Sequence, residues 1–240
     1  MIGGFIITGN VPKKIVVRAI GPSLQNSLSG ALGDPLLQLR GSDGVLILQN
    51  DNWKEDTAQS AEIAASKLAP AHDLESALIT TLQPGNYTAA VSGKDGRTGI
   101  GLIEVYDLSQ ASDAKLANIS TRGIVSSADN VLIGGFILGG ANGSAKVLIR
   151  AIGPSLSSAG ITNTLSDPTL ELRDNNGALL LANDNWKDQQ RSAIEQTGIP
   201  PNDSLESAIL AELTPGAYTA IVSGKGNSRG VALIEVYNLR

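Results

Sequence analysis

Leu82-Gln83-Pro84-Gly85-Asn86-Tyr87-Thr88-Ala89-Ala90-Val91-Ser92-Gly93 decides how the chain is read. Pro84-Gly85 is a turn signal, and after it the period-two pattern puts Tyr87, Ala89 and Val91 on one face of a strand. Gly93-Lys94-Asp95-Gly96 then supplies a second turn. A half-buried strand between tight turns is the building block of an antiparallel sheet. The stretch returns at residues 213–224 as Leu-Thr-Pro-Gly-Ala-Tyr-Thr-Ala-Ile-Val-Ser-Gly.

Working outward, the whole chain repeats. Ile2-Gly3-Gly4-Phe5-Ile6 recurs from Ile133, Arg18-Ala19-Ile20-Gly21-Pro22-Ser23-Leu24 from Arg150, and Asn50-Asp51-Asn52-Trp53 from Asn183. Leu74-Glu75-Ser76-Ala77 recurs from Leu205 and Glu104-Val105-Tyr106 from Glu235. Self-similarity over so much of the chain implies two copies of one domain, each of ordinary domain size. A group essential to chemistry should then stand in both copies.

Composition narrows the function. A net charge of −5 and a pI near 4.9, with 18 scattered Lys and Arg, argue against nucleic acid as a partner. There is no apolar run long enough for a membrane-spanning helix, so membrane insertion is not expected. With one histidine and no cysteine, disulfides, thiolate sites and His-dependent triads are excluded. Aromatics are 3% of residues, so the cores must be aliphatic.

Within a copy the pattern predicts strands at residues 2–8, 15–20, 36–40, 45–49, 77–82, 87–92 and 100–106. Asp43-Gly44 marks a hairpin. The Ala-rich stretch 57–68 reads as a short helical insertion, and its counterpart 188–197 is shorter. The fold expected is all-β: two tandem antiparallel β-sandwiches, jelly-roll-like, with short helical insertions. Residues 1–108 form the first, 109–114 a linker, and 115–240 the second. Residues 115–125 have extended, β-branched character. The first copy lacks their counterpart. Either the sequence is a segment of a longer array, or a strand from elsewhere completes the first sandwich.

Three elements in order carry a resemblance. They are Asp-Pro-x-Leu-x-Leu-Arg (34–40 and 167–173), Asn-Asp-Asn-Trp, and Leu-x-Pro-Gly-x-Tyr-Thr-Ala-x-Val-Ser-Gly. Together they resemble the bacterial pre-peptidase C-terminal type of β-sandwich, a non-catalytic module of secreted enzymes. The fuller pattern is similar to tandem modules of very large bacterial surface and secreted proteins. That resemblance implies an extracellular setting and a structural or adhesive role, and it carries no catalytic residues.

Individual residues point to structure more than chemistry. Arg18 and Glu104, with Arg150 and Glu235, lie in apolar strands where a lone charge is costly, so each Arg is expected to pair with its own copy's Glu. Asp34, Asp51, Asp167 and Asp184 are the metal candidates, with calcium as the ion their oxygens would suit. Trp53 and Trp186 are candidates for a sugar-stacking or interface surface, or for caps over the sandwich end. Ser23 and Ser155 follow proline in a turn, and their hydroxyls are expected to serve the local backbone. His72 has Asp203 as its counterpart and reads as an exposed loop residue. The function expected is a non-enzymatic extracellular module, a subunit of a fibre, filament or surface layer that self-associates by strand addition. The alternative is a carbohydrate-binding or adhesion module with polysaccharide as partner.

Overall fold

The computed structural model describes residues 1–109, 113–126, 130–139 and 143–239. Gln110, Ala111 and Ser112 of the expected linker lie outside the described residues. Two compact units divide the chain, Met1–Ala117 and Asn118–Arg240. The division falls three residues later than the sequence suggests. Ala114 is 1% exposed and, with Leu116, packs against the first unit's core.

The first unit contains seven strands: β1 (Ile2–Thr8), β2 (Lys13–Ile20), β3 (Pro35–Arg40), β4 (Leu46–Asn50), β5 (Ser76–Leu82), β6 (Gly85–Gly93) and β7 (Leu102–Asp107). β8 (Lys115–Val125) begins in this unit and ends in the next. The second unit adds β9 (Leu132–Leu138), β10 (Ala145–Ile152), β11 (Pro168–Asp174), β12 (Leu179–Asn183), β13 (Ser207–Leu213), β14 (Gly216–Gly224) and β15 (Gly230–Asn238). Helix α1 (Thr57–Ala65) and the shorter α2 (Arg191–Glu195) occupy the insertions.

The pairing in the second unit is nested and antiparallel: β8 with β15, β9 with β14, β10 with β13, and β11 with β12. This is one long hairpin rolled up, so that successive strands alternate between two sheets except at the β11–β12 tip, which stays in one. The resulting orders are β13-β10-β15-β8 and β12-β11-β14-β9. That connectivity is a jelly roll. Its core draws Val147, Ile149 and Ile234 from one sheet and Leu170, Leu172, Ala220 and Val222 from the other. The first unit repeats the nest with β1·β6, β2·β5 and β3·β4. Its sheets are β1-β6-β3-β4 and β5-β2-β7. The partner that β8 gives to β15 has no equivalent beside β7 among the described residues.

Local chemistry explains the corners. In the β3–β4 hairpin Gly44 sits at φ +78°, a left-handed conformation suited to glycine, and the Asp43 carboxylate accepts from Val45 N–H at 3.0 Å. Gly21 is required for a different reason, since a Cβ there would fall 2.1 Å from the Leu32 carbonyl oxygen. β2 is buried on both faces because Ile15-Val16-Val17 is a continuous apolar run. Its outer face lies under Trp53 and Ile63 of α1.

Candidate functional site

The polar groups that recur in both units converge on the outer face of the sheet containing β2 and β7, or β10 and β15. Arg18 stands directly opposite Glu104 in the β2–β7 ladder, as Arg150 stands opposite Glu235. Arg18 Nε donates to Glu104 Oε2 at 2.9 Å and a terminal nitrogen donates to the same oxygen at 2.5 Å. The other terminal nitrogen donates to the Leu68 carbonyl at 2.8 Å. Tyr106 completes the set: its hydroxyl donates to Glu104 Oε1 at 2.7 Å, and the guanidinium lies 5.1 Å from its ring centroid. In the second unit Arg150 Nε to Glu235 is 3.0 Å, Arg150 to Ile199 O is 2.9 Å and Tyr237 to Glu235 is 2.8 Å. Burial, with the neighbouring Glu235 carboxylate adding to it, pushes Tyr237 up to about 12. Tyr106 is raised by burial and then by its bond to Glu104. Each pair bonds to its own unit's backbone and tyrosine, which is how a partly buried charge is held.

A second repeated constellation was not legible as a site. Glu75 and Glu206 are each fully buried. Glu75 accepts from Gly21 N–H at 3.2 Å, Ser23 N–H and Ser23 Oγ at 2.9 Å, and His72 N–H at 3.2 Å. Glu206 accepts from Gly153, Ser155 and Asp203 in the same way. The serine hydroxyls thus serve a carboxylate about fifty positions away and not the local backbone. His72 Nδ1 accepts from Leu74 N–H at 3.2 Å, and Asp203 Oδ1 accepts from Leu205 N–H at 2.9 Å, so the two residues fill one turn-forming role.

The aspartates proposed as metal ligands instead face a lysine. Lys94 Nζ bonds Asp51, and Lys225 Nζ lies 2.5 Å from Asp184 and 3.8 Å from Asp167. The hydrogen bond to Asp51 raises Lys94, with the charges of Asp51 and Asp34 adding to it, and Asp184 does the same for Lys225. The Oδ1 atoms of Asp34, Asp51 and Asn52, and of Asp167, Asp184 and Asn185, are buried without a protein partner. Among the described residues no group of three or more His, Cys, Asp or Glu is placed to hold a metal.

The remainder of Asn-Asp-Asn-Trp builds the corner between β4 and β5. Asn50 Oδ1 accepts from Ala77 N–H at 2.9 Å and its amide donates to Asn52 O at 3.0 Å. Trp53 and Trp186 are 9% and 4% exposed, packed over Val16 and Ile63 and over Leu148 and Ile194. This corrects their candidacy as sugar platforms, because stacking needs an open ring face. They are caps beneath the insertions. Lys13 was also missed. It is 1% exposed, and its ammonium lies 2.7 Å from Asp107 and 3.1 Å from Ser109 O.

Beside these groups, a cavity of about 240 Å³ is lined by Arg18, Ser23, Glu75, Leu102 and Glu104. Among the described residues no helix is long and apolar enough to cross a membrane. No family model and no curated relative matches the sequence. Among solved structures, the STIV MCP crystal structure matches at TM-score 0.29 and 11% identity, covering 99% of this chain and 96% of that one. The atomic structure of Sulfolobus Turreted Icosahedral Virus matches at TM-score 0.28 and 11% identity, covering 98% and 87%. PBCV-1 VP54 fitted into a reconstruction of the virophage Sputnik matches at TM-score 0.22 and 8% identity, covering 99% and 93%. Scores at this level do not establish a shared fold.

Proposed function

We infer that the protein is a non-enzymatic structural module, a subunit of an extracellular fibre, filament or surface layer whose neighbouring units join by strand addition. The observation that carries this reading is a pair of exposed apolar sheet edges, β4 in the first unit and β12 in the second. An unpaired row of N–H and C=O groups is a template for another chain. Natural proteins usually blunt such edges with charge. Here β4 and β12 end their sheets without a charged residue, and Leu46, Ile47, Leu179, Leu180 and Leu181 are each more than 40% exposed. A contact between two different edges is head-to-tail, and it propagates as a filament when its rotation does not close into a ring.

The non-enzymatic part of the reading is supported by how the repeated polar groups are used. Arg18, Glu104 and Tyr106, and separately Glu75 and Ser23, bond to one another and to backbone. Bacterial origin and secretion rest on the sequence resemblance alone. Carbohydrate binding has lost its main support with the burial of both indoles. Electron microscopy of undenatured protein at physiological salt, over a concentration series, tests the assembly reading. Fibres with a repeat of one chain are expected, and dispersed single particles at every concentration would refute it.

A further inference from the structure

β5 and β13 each end a sheet, yet side chains occupy their outer backbone sites. In a strand, alternate residues turn N–H and C=O away from the neighbour, so an end strand offers a row of bonding sites. On β13 the first of these is taken by Asn183, whose Oδ1 accepts from Ala208 N–H at 2.9 Å. The next is taken twice by Gln190: its Oε1 accepts from Leu210 N–H at 3.0 Å and its Nε2 donates to Leu210 O at 2.8 Å. Those are the two bonds that a directly opposed residue of an antiparallel strand would make. The first unit places the same residue types at the same positions. Asn50 Oδ1 accepts from Ala77 N–H at 2.9 Å, and Gln59 Oε1 accepts from Ile79 N–H at 3.0 Å.

The two units reach this arrangement by different routes. Six positions separate Trp53 from Gln59, and four separate Trp186 from Gln190. Gln59 lies inside α1, whereas Gln190 precedes α2 at φ +32°. That left-handed conformation is unfavourable for a residue with a Cβ, and the doubly bonded amide holds it there. Insertions of different length thus deliver a glutamine to one backbone position. The strands behind it, Ala77-Leu78-Ile79-Thr80 and Ala208-Ile209-Leu210-Ala211, carry no charge, and all but Thr80 are buried. An open edge of that composition pairs with other chains. By contrast, among the described residues no side chain bonds the backbone of residues 46–49 or 179–182, on β4 and β12.

We propose that Gln59 and Gln190, seconded by Asn50 and Asn183, are edge guards that keep the strands of a second copy off β5 and β13 and so direct strand addition to β4 and β12. This rests on the strand-addition reading above and names what selects the edge. Selection is needed because the two edges of a unit lie side by side: Asn183 belongs to β12 and bonds β13, as Asn50 of β4 bonds β5. A strand arriving on that flank could join either sheet, and only one choice repeats from copy to copy. Filling the backbone sites of one edge removes the wrong choice without adding a contact to the right one.

Amide exchange and sedimentation velocity on the full chain test the guards. Q59A/Q190A lacks both amides, and Q59N/Q190N brings them one methylene short. Q59E/Q190E keeps the acceptor and adds a charge at each edge. Exchange at Ile79 and Leu210 should quicken at least about tenfold in the Ala and Asn variants and stay near the parent's in the Glu variant. In a chain also carrying Leu46→Lys and Leu180→Lys, which charge β4 and β12, the Ala and Asn pairs should restore association and the Glu pair should not. Equal association of all three would show general loosening and overturn the proposal. Faster exchange at both amides with no association by any variant would overturn it too. A wild-type chain that associates and is indifferent to these substitutions would sink the guards and leave the assembly reading standing. A wild-type chain that stays single at every concentration while the Ala and Asn variants associate would support the guards and sink the assembly reading.

Discussion

The Lys13 ammonium lies 2.7 Å from the Asp107 carboxylate, the lysine 1% exposed, where the second unit places Ala145 and Asn238. One copy holds an ion pair at the end of its roll and the other holds two uncharged residues. Lys13→Ala alone leaves a partly buried carboxylate and should destabilise the first unit by roughly 3 kcal/mol. The double variant K13A/D107N reproduces the second unit's residues and should recover most of that loss. Denaturant unfolding followed by the single tryptophan of each unit separates the two. A double variant as unstable as the single one would show that the pair contributes beyond charge balance.

Glu75 and Glu206 hold the turn after β2 or β10 to the loop before β5 or β13. Glu75→Gln replaces one acceptor with a donor that faces N–H groups, and should cost the first unit about 2 kcal/mol. Ser23→Ala removes one hydroxyl bond and should cost about 1 kcal/mol. Glu206→Gln should act on the second unit alone. Chemical denaturation of Trp53→Phe and Trp186→Phe backgrounds assigns each effect, and a loss spread over both units would contradict it.

Tyr237 gives a pH signature. Its pKa is raised to about 12 in the folded protein against about 10 when unfolded. The neutral phenol is therefore favoured by folding, so its contribution is complete below pH 10 and is lost as pH climbs from 10 towards 12. Phenolate absorbance should show Tyr106 and Tyr87 displaced upward and Tyr237 titrating last, and Tyr237→Phe should remove that last component. The same variant should cost about 1 kcal/mol at pH 8 through the lost bond to Glu235. A wild-type titration with every tyrosine near 10 would contradict the assignment.

Lysine already neutralises the aspartates that sequence offered to calcium. Millimolar calcium, or a chelator, should shift Tm by less than about 1 °C. A rise of more than about 3 °C would mean that the ion meets the buried Oδ1 atoms of Asp34, Asp51 and Asn52.

The strands were legible because period-two alternation is local. Residues 87–92 were expected as a strand and Gly85–Gly93 form one. β2 begins at Lys13 instead of Ile15, because a partly buried carboxylate at Asp107 lets a lysine enter the strand. The Arg–Glu positions were visible as charges inside apolar runs. Glu75 was not, since a single carboxylate before a strand reads as surface and its donors lie about fifty residues away. Its recurrence in Leu-Glu-Ser-Ala was the available signal. Trp53 and Trp186 could be placed after a strand, but whether an indole faces solvent depends on the insertion that folds over it. The lysine of Ser-Gly-Lys recurs too, yet only the folded turn brings it to Asp51 or Asp184.

Sedimentation velocity over a concentration series, comparing the chain with a variant carrying Leu46→Lys and Leu180→Lys on the exposed edges of β4 and β12, tests the central claim most directly. The chain should form larger species as concentration rises, while the variant, its edges charged, should sediment as a single small species. Identical behaviour of the two, whether both associate or both remain single, would contradict assembly through these edges.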